Sequence, residues 1–99
     1  MLTNLKDNDG RIIAFTEWRL VGQSGFDKQD GEYIWVEEIW VHQNYRGKHL
    51  INRMIDEIMR ISPSAKYCYF NRLKRNSNLR MYSRPAWQRR RQAYMKVEV

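Results

Sequence analysis

The chain has one cysteine, two histidines and two prolines in 99 residues, too few for a cross-linked or metal-built fold. Cys68 has no second cysteine to pair with, which excludes an internal disulfide scaffold. His42 and His49 are too few and too isolated for a metal site, and nothing has the spacing of a zinc cluster. No apolar run approaches the ~20 residues needed to span a bilayer, so no membrane association is expected. The opening Met1-Leu2-Thr3-Asn4-Leu5-Lys6-Asp7 lacks the basic-then-apolar order of a secretory signal, and the expected location is cytoplasmic. Acids are scarce in one half only. Residues 58–99 carry eleven Lys/Arg against the single acid Glu98, whereas residues 1–57 carry seven Lys/Arg against ten Asp/Glu.

What is present is globular in composition, with 42% hydrophobic, 13% aromatic and 29% charged residues. A chain of this size has room for one core, so residues 1–99 form one expected domain. The net charge of +7 comes from the second half and points to an anionic partner there: a nucleic acid, an acidic protein or a phosphorylated cofactor.

Hydrophobic patterning predicts the elements. Met1–Leu5 and Arg11–Val21 flank a polar stretch ending in Asp9-Gly10, a hairpin signal. A second polar interruption over 22–31 precedes Tyr33–His42, a run of aromatic and β-branched residues that reads as a central strand. The chain therefore begins as a three-stranded antiparallel meander. Leu50, Met54, Ile58 and Ile61 then recur at spacings of four and three, predicting an amphipathic helix from about Gly47 to Ile61. Ser62-Pro63-Ser64 stops it. Lys66–Leu73 reads as a strand, completing a right-handed βαβ unit. A short helix is expected from Leu79–Tyr82, limited by Pro85, and a final strand from the alternation of Ala93, Met95, Val97 and Val99.

The segment richest in chemistry is Val41-His42-Gln43-Asn44-Tyr45-Arg46-Gly47-Lys48-His49-Leu50. A strand ends, a basic turn follows, and a helix begins at once. The first turn of a helix offers unpaired N–H groups and a partial positive charge, which suits phosphate or pyrophosphate. Val41-x-x-x-Tyr45-Arg46-Gly47-Lys48 before an apolar helix resembles the acyl-CoA-binding motif of the GNAT N-acetyltransferase superfamily. Tyr82-Ser83-Arg84-Pro85-Ala86-Trp87 is similar to that family's later Tyr-x-x-x-Gly-Phe segment, with Ala86 for glycine and Trp87 for phenylalanine.

The resemblance implies an α+β, GNAT-like mixed sheet: an antiparallel β-meander, then a βαβ unit, truncated at the N-terminus. It also implies acetyl-CoA held by Ile39 and Val41 of the splayed strand and by Arg46, Gly47, Lys48 and His49 of the turn. The activity would be transfer of an acyl group to an amine of a protein or small molecule. Glu37 or Glu38 would serve as the base, and Tyr82 would protonate the departing thiolate. Regular alternation puts Glu37 with Ile39 and Val41, and Glu38 with Trp40 and His42, so one carboxylate is expected on a less polar side. The plainer readings are ordinary exposed carboxylates and a tyrosine packed on the sheet. The chain departs from the family pattern at His49 and Ile51, which stand where small residues are usual; His49 could donate to a phosphate, and the bulk of Ile51 fits the pattern only if it turns into the core. The resemblance begins after the family's first strand and two helices, which help form the acceptor cleft and are not expected within residues 1–99.

Arg72, Lys74, Arg75, Arg84, Arg89, Arg90 and Arg91, interleaved with Tyr82, Trp87 and Tyr94, support a different function. They would grip a nucleic acid or an acidic protein surface on a catalytically inactive fold, as an accessory protein of a phage or mobile element would. A solvated charged face is the plainer account. Cys68 reads as a core thiol, and Trp18, Trp35 and Trp40 as sheet packing with some surface left for an interface, such as a homodimer.

Overall fold

The computed structural model describes residues 1–71 and 79–98. Strands β1 (Leu2–Lys6), β2 (Ile12–Val21) and β3 (Tyr33–Val41) lead through a 3-10 turn at Gln43–Tyr45 into helix α1 (Leu50–Ile61). Strands β4 (Tyr67–Asn71) and β5 (Leu79–Ser83) and helix α2 (Arg84–Glu98) follow. The strands form one sheet in the order β1-β2-β3-β4-β5. Among the described residues only the β3–β4 pair is parallel. The meander, the βαβ unit and the mixed α+β sheet are as the sequence predicts.

The two expectations for the C-terminal part are overturned. Leu79–Ser83 is a strand, because it pairs antiparallel along the whole of β4, from Asn71↔Leu79 to Tyr67↔Ser83. Without it, β4 would present an open edge. Ala93, Met95 and Val97 lie inside α2, which runs unbroken from Arg84 to Glu98, and Val99 lies outside the described residues. Pro85 opens this helix, where a missing N–H costs nothing. Ser83 supplies the cap, its hydroxyl accepting from the Ala86 amide at 3.2 Å.

Both helices pack on one face of the sheet. Helix α1 buries Leu50, Met54, Ile55, Ile58 and Met59, each contributing about 1.5–3 kcal/mol when fully removed from water. They meet Ala14, Trp18, Ile34 and Val36 of the sheet, and Trp87 of α2 joins the same core. Two polar groups inside find partners: Trp18 Nε1 donates to Thr3 Oγ1 at 2.9 Å, and Thr16 Oγ1 to Met54 Sδ at 3.2 Å.

A β-bulge decides which side chains face this core. Glu17 of β2 pairs with Glu38 and Trp18 with Val36, leaving Glu37 as the extra residue in β3. Before the bulge the even residues Ile34 and Val36 are buried; after it the odd residues Ile39 and Val41 are the half-buried ones. Both glutamates therefore lie on the far face with Trp35 and Trp40, where no helix among the described residues covers the sheet.

Candidate functional site

The site begins where β3 leaves its neighbour. The two parallel strands pair only at Tyr33↔Tyr67, Ile34↔Cys68 and Trp35↔Tyr69. From Val36 to Val41, β3 has no partner on that side among the described residues, although β4 itself continues to Asn71. The gap opens toward the end of β3 that feeds α1. Ile39 and Val41 turn their side chains toward the core, so what β3 offers the gap there is its backbone edge.

The turn into α1 is held by local bonds. His42 Nδ1 accepts from the Asn44 amide at 3.1 Å, and the Tyr45 amide donates to the His42 carbonyl at 2.8 Å. Arg46 Nε reaches back to the Val41 carbonyl at 3.4 Å, and Lys48 Nζ lies 5.5 Å from the centre of the Tyr45 ring. Gly47 has φ +82°, a conformation glycine adopts without strain. His49 follows at φ 60°, the only non-glycine among the described residues with positive φ. It sits in the left-handed region at the cap of α1 and makes no side-chain capping bond there.

The result is a helix start with its donors open. The amides of Leu50, Ile51 and Asn52 have no hydrogen-bond partner among the described residues, the first intrahelical bond being Arg53 N–H to the His49 carbonyl at 3.1 Å. Ile51 packs against both parts of the core, so its bulk is kept out of the turn. The His49 ring faces Asn52, Nδ1 and Nδ2 being 3.4 Å apart. Open N–H groups, the helix dipole, Arg46 and Lys48 together make this the part of the molecule best suited to an anion.

The structure treats the two glutamates differently from regular alternation. The bulge puts both on the exposed face, so the burial expected for one of them is absent. Glu37 accepts from Arg19 Nη1 at 3.1 Å, while Arg19 Nε also bonds Asp27 at 2.7 Å. These two carboxylates hold the Arg19 guanidinium above its ordinary pKa, the Asp27 hydrogen bond being the larger cause. Glu38 has no ion pair or hydrogen bond to its side chain among the described residues.

Tyr82 lies elsewhere. It is on β5 opposite Cys68, which is level with Ile34, before β3 and β4 part. Its ring is half-buried on the helix-bearing face, edge-on to Trp87 with 5.5 Å between centres, and Arg90 lies 5.5 Å above it. Tyr82 and the glutamates thus occupy opposite faces of the sheet.

Most described members of the basic set are used inside the molecule. Arg84 donates to the carbonyls of Ala65, Met59 and Ser62, closing the end of α1. Arg91 Nε pairs with Asp56 at 3.0 Å, beside the Trp87 indole that donates to the other Asp56 oxygen. Arg90 covers Tyr82, and Arg89 is exposed. Arg72, Lys74 and Arg75 lie outside the described residues. Sequence reasoning missed the roles of Asp56 and Arg84. Asp56 pairs across helices with Trp87 and Arg91, while Arg60 bonds Glu57 and holds its carboxyl below the usual range. Cys68 is fully buried, and burial pushes its thiol up to about 12, which leaves it inert.

Residues 2–91 match the family model described as the acetyltransferase (GNAT) family. Among solved structures, the chain is similar to the GNAT family N-acetyltransferase YhbS from Escherichia coli in complex with CoA. The two are 12% identical with a TM-score of 0.57, over 81% of this chain and 56% of that one. The likeness is one of fold, and the chain spans little more than half the length of that relative. No curated protein matches it.

Proposed function

The chain belongs to the acetyltransferase (GNAT) family, and from that premise we propose that it is an acyl-CoA-dependent N-acetyltransferase acting on an amine. The observation that carries this reading is the uncapped start of α1, set beside a β3 edge that has parted from β4.

The residues present fit an acyl-CoA. The first-turn amides at Leu50, Ile51 and Asn52 hold the pyrophosphate, with Lys48 and Arg46 adding formal charge. The free edge of β3 past Trp35 offers backbone groups to the acyl arm and donors to the thioester oxygen. Bound acetyl-CoA supplies an acyl group activated for attack by an uncharged amine. Glu38, free of protein partners among the described residues, draws the acceptor ammonium to the exposed face and receives its proton. Glu37 is committed to Arg19 and orients that face. Because Tyr82 packs below the point where the strands part, the proton for the thiolate comes from solvent in this scheme.

Calorimetry with acetyl-CoA tests the first step; no heat of binding at millimolar ligand would overturn it. Glu38→Gln is expected to lower turnover at least about tenfold with little change in acetyl-CoA affinity. Tyr82→Phe is expected to leave turnover within about twofold, and a larger fall returns the phenol to the chemistry. The competing reading, a non-catalytic grip on nucleic acid or acidic protein, is weakened because Arg84, Arg90 and Arg91 already serve internal contacts.

A further inference from the structure

The face of the sheet away from the helices carries rows of aromatic rings with carboxylates between them. Phe15 stacks on Trp40 at 5.8 Å, and Trp35 meets Tyr69 at 5.8 Å. Trp35 and Trp40 remain 39% and 38% exposed, far more than strand residues with a covering layer would be. Between these two ring pairs, Glu17 and Glu38 are direct cross-strand partners. Like charges placed so repel each other, and neither has a hydrogen bond or ion pair to its side chain among the described residues. Glu37 adds a third carboxylate beside them, and Arg19 is the one cation of β2 and β3 on this face.

From this arrangement we infer that the uncovered face docks a Lys/Arg-rich polypeptide. Aromatic faces and carboxylates both attract ammonium and guanidinium groups, and Glu17 and Glu38, without a partner among the described residues, lie on the same strands as the rings. The charge decides against other occupants. A nucleic acid would bring phosphates onto three glutamates. A second copy laid face to face would bury six such carboxylates against two arginines, which desolvation makes unfavourable. The inference shares Glu38 with the proposed acyl transfer, but its test is read without acetyl-CoA, so the two can fail separately.

Tryptophan fluorescence tests it, since Trp18 and Trp87 are buried and Trp35 and Trp40 report on this face. A short Lys/Arg-rich peptide, added without acetyl-CoA, is expected to give a saturable change that weakens as salt rises. Glu17→Lys is expected to weaken binding about tenfold or more without lowering the thermal midpoint. Trp40→Ala is expected to weaken it as well. Absence of binding, equal binding of an uncharged or acidic peptide, or indifference to Glu17→Lys overturns the inference. So does sedimentation showing dimers that Trp40→Ala abolishes, because the face then serves self-association.

Discussion

The guanidinium of Arg84 closes the end of α1, with Nη2 2.8 Å from the Ser62 carbonyl oxygen. The same side chain reaches the Ala65 carbonyl at 2.8 Å and the Met59 carbonyl at 3.3 Å. A cation thus sits at the negative end of a helix and satisfies carbonyls that helix geometry leaves open. Arg84→Met should lower stability by about 2–3 kcal/mol in urea unfolding, since charged hydrogen bonds are lost while the carbonyls stay partly buried. Arg84→Lys should recover only part, because an ammonium cannot span three carbonyls as the planar fork does. Full recovery with lysine would mean that charge alone matters there.

His49 holds a conformation that costs an L-residue about 1–2 kcal/mol and glycine almost nothing. Glycine also gains freedom in the unfolded chain, so His49→Gly should stabilise the protein by a net ~0.5–1 kcal/mol. Acetyl-CoA affinity should not fall, because the amide path is kept and a side chain is removed. A loss of stability would show that the contacts of the His49 side chain outweigh the backbone strain.

The expected elements appeared wherever period and turn chemistry agreed, as in α1 and the Asp9-Gly10 hairpin. The site was legible as far as it is local: Arg46, Gly47 and Lys48 stand at the helix start they announce. The faces of Glu37 and Glu38 were not legible, because a bulge adds one residue and reverses the parity of all that follows. Arg84 and Asp56 were not legible either, since their partners lie 22 and 31 residues away in the chain. Ser83-Arg84-Pro85-Ala86 did carry a signal for α2, a serine cap followed by proline in the first turn. The weak alternation after Ala93 concealed it.

Glu17→Lys should also act on the fold by itself. Lysine opposite Glu38 turns a repelling cross-strand pair into an attracting one, worth about 0.2–1 kcal/mol on an exposed sheet face. Urea unfolding at low and high salt checks this, because screening should shrink the gain. A gain that persists in high salt would assign it to packing of the lysine stem.

Cys68 makes stability depend on pH in the alkaline range. The folded chain keeps the thiol proton up to about 12, whereas an unfolded thiol releases it near its ordinary value of 9.0. Between those values the native state binds more protons than the unfolded state, so raising the pH favours unfolding. The cysteine's contribution is complete below the lower value and falls by about 1.4 kcal/mol per pH unit above it. Cys68→Ala leaves a cavity and starts less stable, yet it lacks this dependence. The gap between wild type and variant, measured by urea unfolding from neutral pH upward, should therefore narrow steadily once the lower value is passed. Parallel curves would mean that the thiolate forms within the folded protein, and that the layer of Ile34, Tyr82 and Trp87 around it admits water.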